Sequence, residues 1–91
     1  MRNRLTTFET ALDCSRRLHR DTNDAEAWHS LGTSLAALGC RMGAFRALRN
    51  ALLLDERRAH TQRAMGNLLF DTVLVEEALR CFENAGARTG A

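Results

Sequence analysis

The sequence predicts an all-α protein of about five helices, arranged as antiparallel helix hairpins stacked into a solenoid. Three observations predict this fold class. The 91-residue chain contains no proline, which suits long helices joined by short turns. Apolar residues recur three and four positions apart along most of its length. A register of matching residues also repeats after 34 positions, a period typical of a two-helix unit.

The repeat aligns small residues with small ones and large apolar residues with large ones. A shift of 34 places Gly32 on Gly66, Ala44 on Ala78 and Leu48 on Phe82. We expect the small residues to lie where two antiparallel helices approach closely. Replacing Gly66 by leucine is therefore expected to unfold or strongly destabilise the protein. The residues that make up the repeat signature are Trp28, Leu31, Gly32, Ala44, Leu48, Ala51, Gly66, Ala78, Phe82 and Ala85.

The elements are expected within one domain that spans residues 1–91. They are a half-repeat helix at 4–20, a first repeat at 24–55, a second repeat at 58–86 and a frayed tail at 87–91. Asp24 is the expected N-cap of the first repeat, and Gly39 begins the turn between its two helices. The second repeat is expected to turn around residues 71–72 and to end at Gly86.

Residues 21–32, followed by Leu35, Ala44, Leu48 and Ala51, resemble a tetratricopeptide repeat. The resemblance covers residues 21–86 and is closer in the first repeat. It implies a right-handed superhelical stack that binds other polypeptides, that is, an adaptor. The departures concern the turns and one aromatic position. Thr22 and Glu56 stand where the family usually has proline, Gln62 matches Trp28, and Val73 matches Gly39.

In this family the first helix of each pair lines a concave groove that takes up peptides. Carried over by position, the resemblance implies a groove that also includes Ala36 and is lined by Glu26, His29, Thr33, His60, Arg63, Asn67, Phe70 and Asp71. Related domains that clamp a carboxylate have a basic residue and an asparagine at the positions of Arg63 and Asn67. His29 and Thr33 occupy the matching first-repeat positions, so we expect Arg63 to make a general contact to an acidic or polar peptide, or else to be solvated.

The chain ends on a second-type helix with no further helix expected to cover it. The residues expected to form an incompletely covered apolar surface are Val73, Leu74, Val75, Leu79 and Phe82. Such a surface favours self-association or a partner protein. The alternative is that residues 73–75 fold back and complete their own hairpin.

Other classes of function find less support in the sequence. The three histidines match no metal-ligand spacing, the three cysteines form no pair, and Cys14 and Cys81 are expected on packed helix faces, so no metal, cofactor or catalysis is expected. The thirteen basic residues, all arginine, are offset by eleven acidic ones, which argues against RNA binding. No apolar run is long enough to span a membrane. With no signal peptide recognised, we expect a cytoplasmic protein. Three hypotheses remain: a peptide-binding or protein-binding adaptor, a self-associating scaffold (a homo-oligomer without a peptide ligand) and, third, an RNA-binding repeat.

Overall fold

The computed structural model describes residues 4–89, apart from the side chains of residue 82 and of residues 84–89. Within this range the protein is entirely α-helical between its turns, which confirms the all-α class. The described chain has four helices: α1 (Arg4–Arg20), α2 (Ala25–Ala37), α3 (Arg41–Leu54) and α4 (Ala59–Thr89). The expected number of five is therefore wrong, because the second repeat forms one helix.

The turn from α1 to α2 is held by two aspartates. Asp24 caps α2, since its carboxylate accepts a hydrogen bond from the backbone N–H of Ala27 at 3.0 Å. Arg17 on α1 donates to the other carboxylate oxygen of Asp24 at 2.9 Å. Asp21 accepts a bond from the backbone N–H of Asn23 at 3.0 Å. These bonds fix where α2 begins, as the capping pattern predicts.

The same turn structure recurs 34 residues later, between α3 and α4. Asp55 accepts a bond from the backbone N–H of Arg57 at 3.2 Å, as Asp21 does from Asn23. Farther along, Gln62 donates from its side chain to the carbonyl of Glu56 at 2.6 Å. The matching bond runs from the Trp28 indole to the carbonyl of Thr22 at 2.8 Å. The 34-residue repeat is therefore visible in the hydrogen bonds of both turns, although Gln62 stands where the first repeat has Trp28.

The turn between α2 and α3 depends on Gly39. Its φ of +84° lies in the left-handed region, where a side chain would be strained. The N–H of Cys40 bonds the carbonyl of Leu35 at 2.8 Å, and the N–H of Gly39 bonds the carbonyl of Ala36 at 3.0 Å. This pair of bonds is a Schellman motif, which ends the helix and reverses the chain.

The α2–α3 pair forms the packed centre of the molecule. A Cβ added to Gly32 would lie 2.6 Å from Leu48 Cγ, so the glycine allows the two helices to approach. Leu48 is buried together with Ala44 and Leu68, and Leu35, Ala36, Phe45, Ala64 and Met65 pack around them. The close approach predicted at Gly32 is therefore confirmed. α1 packs on α2, and α4 packs mainly on α3.

The second repeat does not close into a hairpin. α4 runs without a break through residues 71–72, where a turn was expected, and past Gly86, where the helix was expected to end. Val73 stands where Gly39 makes the first turn, and a β-branched residue cannot readily adopt the left-handed backbone that a Schellman motif requires. Glu77 stands where the first repeat has Gly43, and a Cβ added to Gly43 would lie only 3.2 Å from Leu35 Cδ1. Both changes disfavour the hairpin.

The small residues of the second repeat consequently lack the packing predicted for them. Gly66 is exposed, and a Cβ added there would meet no atom within 4 Å. Ala78 is also exposed. The expectation that Gly66→Leu unfolds the protein is therefore wrong, because the facing helix is missing. The Phe82 and Ala85 side chains lie outside the described part of the structure.

Candidate functional site

A shallow groove lies between α2 and α4. Its volume is about 180 Å³, and Leu48 of α3 forms part of its floor. Ala36, Ala64 and Leu68 complete an apolar lining. The remaining lining residues are polar: Thr33, Asn67 and Asp71. An apolar floor with a few polar groups at the edge is the usual composition of a ligand-binding groove.

A polar cluster joins α2 to the first turn of α4, and Arg58 is its centre. The Arg58 guanidinium donates to the Glu26 carboxylate in an ion pair and to His60 Nε2 at 2.8 Å. Its Nε donates to Thr61 Oγ1 at 3.2 Å. The Arg58 side chain is only 15% exposed, so most of its donors are committed inside the protein. Arg58 therefore holds α4 against α2 and is not a free clamp for a ligand.

Thr61 connects this cluster to His29. Thr61 is fully buried, and its hydroxyl oxygen accepts a bond from Arg58, so its proton is available to His29 Nδ1, which lies 2.9 Å away. This arrangement requires an unprotonated Nδ1. The ring of His29 also meets the ring of His60 edge-on, with centroids 4.6 Å apart.

The electrostatics of the cluster favour a neutral His29 and an ionised Glu26. Burial lowers the pKa of His29, and the neighbouring His60 and Arg58 lower it further, against the opposing effect of Glu26. The hydrogen bond from Arg58 holds the pKa of the Glu26 carboxyl below its usual range. The hydrogen bonds that join α2 to α4 are therefore expected to form at neutral pH, where His29 is uncharged and Glu26 is ionised.

The structure divides the predicted groove residues into three sets. Thr33, Asn67 and Asp71 line the α2–α4 groove together with Ala36. Glu26, His29 and His60 lie in the polar cluster. Arg63 and Phe70 are exposed on α4 outside the groove walls, and Phe70 is 65% exposed.

The predicted apolar surface near the end of the chain is only partly exposed. Val73, Leu74 and Leu79 are each more than half exposed, whereas Val75 is half-buried. Phe82 lies outside the described side chains. Val75 and Leu79 line a second groove, of about 560 Å³, against the start of α3 at Met42. The fold-back of residues 73–75 is absent because α4 is continuous.

Arg58 and Thr61 are the site residues that the sequence analysis missed. The repeat held a signal for Thr61, because a shift of 34 places it on Ala27, and both residues are fully buried. A polar residue at a buried repeat position needs a partner. Arg58 aligns with the N-cap Asp24, and nothing in the sequence alone pairs it with Glu26.

Three further observations concern the described residues. They contain no group of three His, Cys, Asp or Glu side chains placed to hold a metal ion. None of the helices described here has a stretch long and apolar enough to cross a membrane. Cys14 is buried, as expected, and Cys40 is exposed. Cys81 is also exposed, so the expectation that it lies on a packed helix face is wrong.

Comparison of the chain with protein-family models, with curated proteins and with solved structures finds no match.

Proposed function

We propose that this protein is a non-catalytic interaction module that takes up a segment of a partner polypeptide in the groove between α2 and α4. The observation that carries the proposal is the composition of that groove. Its floor is apolar, at Leu48 and Leu68, and its edge carries an exposed amide, Asn67, beside an exposed carboxylate, Asp71. These groups suit a peptide better than a small polar metabolite, because a peptide presents side chains and backbone amides alternately.

The chemistry of the groove indicates what the segment contains. The space of about 180 Å³ accommodates one apolar side chain over Leu48. The Asn67 amide offers both a donor and an acceptor to the peptide backbone. Asp71 favours a basic residue in the next position. Since Arg58 is committed to Glu26, recognition of a C-terminal carboxylate is not part of this proposal.

The resemblance to tetratricopeptide repeats supports the same function. α1 corresponds to the second helix of a half repeat, and α2 and α3 form one complete hairpin. The first half of α4 corresponds to the first helix of the next repeat. We propose that these helices stack with the right-handed superhelical sense of that family. The α2–α4 groove then corresponds to the concave surface of the family.

The test is selection of peptides from a displayed random library against the 91-residue chain, followed by affinity measurement. Asn67→Ala is expected to weaken binding of a selected peptide by about tenfold, the loss of one or two hydrogen bonds. Asp71→Asn is expected to weaken peptides with a basic residue in particular. Asp13→Asn, the same change on the exposed face of α1, serves as the control and is expected to leave binding unchanged.

The proposal is wrong if no peptide is enriched. It is also wrong if the selected peptides bind both groove variants as tightly as the unmodified protein.

A further inference from the structure

α4 has a second apolar face that nothing in the described structure covers. Ala64, Met65 and Leu68 pack toward the core. Successive residues of a helix are rotated by about 100°, so Phe70 points to nearly the opposite side. We call the surface around it the outer strip, and its members are Arg63, Gly66, Phe70, Val73, Leu74 and Glu77. The floor of the α2–α4 groove, at Ala64 and Leu68, faces away from Phe70, and Asn67 at the groove edge borders the strip, so an interaction centred on Phe70 is additional to the proposed peptide binding.

The outer strip is apolar in the middle and charged at its ends. Phe70 is 65% exposed, Val73 55% and Leu74 52%, and the exposed Gly66 adds no bulk beside them. Spacings of three and four residues keep these positions on one side of a helix. Large exposed apolar side chains in one continuous strip mark a contact surface.

The charges at the two ends of the outer strip indicate which partner fits it. Arg63, Phe70 and Glu77 are seven residues apart, or two turns, so they lie almost in line. If two copies of α4 pair in an antiparallel manner about Phe70, Arg63 of each copy meets Glu77 of the other. A parallel pair would instead place arginine on arginine and glutamate on glutamate. The strip is therefore complementary to itself in one orientation, which is the requirement for a two-fold interface.

We propose that the outer strip binds the outer strip of a second copy of this chain, with α4 antiparallel to α4 and the two-fold axis at Phe70. In this register Gly66 lies opposite Leu74 of the second copy, so that the small residue leaves room for the large one, and Asn67 lies opposite Val73. Glu77 already accepts a bond from Arg80 on its own helix at 3.2 Å. An ionised carboxylate can accept further donors, so that pair does not prevent the new one.

The strip from Arg63 to Glu77 is about 21 Å long, a short contact for a stable dimer. We therefore infer a weak, reversible dimer. Its centre lies at Phe70, nearer the N-terminus of α4 than the surface of residues 73–82 that the sequence analysis favours.

The experiment is sedimentation equilibrium of the 91-residue chain over a concentration series that reaches the millimolar range. The unmodified protein is expected to pass from monomer to dimer. Arg63→Glu and Glu77→Arg are each expected to weaken dimerisation at least about tenfold, because each places like charges together at both ends. An equimolar mixture of the two variants restores opposite charges at both ends and is expected to form the dimer again, as is the double variant R63E/E77R.

Three controls make the result decisive. Arg57→Glu and Glu56→Arg make the same charge changes at exposed positions between α3 and α4, outside the strip, and are expected to dimerise like the unmodified protein. Asp71→Asn, a groove variant whose position is rotated by about 100° from Phe70, is also expected to dimerise, so failure of peptide binding and failure of pairing are separable. Circular dichroism verifies that each variant is folded.

The proposal is overturned by a monomer at every concentration. It is also overturned by single variants that dimerise as the unmodified protein does, or by masses that grow beyond a dimer, since an antiparallel pair of strips closes on itself.

Discussion

Gly32 and Gly66 occupy equivalent positions of the internal repeat but have opposite surroundings. A Cβ on Gly32 would lie 2.6 Å from Leu48 Cγ and 3.2 Å from the Leu48 backbone nitrogen. A Cβ on Gly66 would meet nothing within 4 Å. The same residue type therefore serves close packing in one repeat, whereas in the other it only lowers helix propensity.

We predict opposite stability changes for Gly32→Ala and Gly66→Ala. The added methyl at Gly32 must displace the buried Leu48, which costs about 1–3 kcal/mol and exceeds the helix propensity gained. The added methyl at Gly66 stabilises the helix by about 0.5–1 kcal/mol. Thermal denaturation at low protein concentration measures both changes. A loss of stability on Gly66→Ala would indicate a facing helix and contradict the structure.

At the residue scale, local chemistry makes Asp24, Gly39 and Gly32 predictable. A cap, a left-handed glycine and a small residue in a helix contact each leave a signature at one position. The ion pair of Arg58 with Glu26 leaves none, because it depends on the position of α4 relative to α2.

The junction of α2 and α4 is the element that the polar cluster controls. A chain of hydrogen bonds crosses this junction from His29 through Thr61 and Arg58 to Glu26. Thr61 is fully buried, so any loss of its partners leaves a buried hydroxyl unsatisfied. The junction is therefore expected to respond to protonation.

We predict that the protein loses stability as the pH falls below about 6.5, the ordinary pKa of histidine. The pKa of His29 is lowered in the folded state, so the unfolded chain binds more protons in this window and acid favours unfolding. The lowered pKa of Glu26 acts in the same direction at more acidic pH. Melting temperatures of the unmodified protein and of His29→Gln are compared at pH about 7.5 and about 5.5.

The stability advantage of the unmodified protein over His29→Gln is expected to shrink at the lower pH. His19→Gln removes an exposed imidazole from α1 and serves as the control. Equal differences between His29→Gln and the unmodified protein at both pH values would refute the role of His29.

At the element scale, the sequence predicts α1, α2 and α3 well because each has a stop signal or a cap near its end. The second repeat lacks the corresponding signals: Val73 replaces Gly39, and Glu77 replaces Gly43. The 34-residue register predicts a turn in the second repeat at the position of the turn in the first. The residues that make the first turn are not retained there, so the turn does not form.

The whole molecule combines a packed group of helices with one long helix that extends from it. α4 is 31 residues long, or about 46 Å, and the molecule has a long axis of 55 Å. The continuity of α4 creates both the α2–α4 groove and the outer strip. One side packs on α3 and forms the groove with α2, and the side around Phe70 carries the outer strip.

The distance between spin labels in the two halves of α4 shows whether this helix is continuous. Labels are attached to Gln62→Cys and Glu83→Cys in a chain carrying Cys40→Ser and Cys81→Ser, diluted with unlabelled protein so that only distances within one chain are measured. A continuous helix predicts a backbone separation of about 32 Å. A distance near 10 Å, the spacing of two packed antiparallel helices, would show a closed second hairpin and rule out a continuous α4.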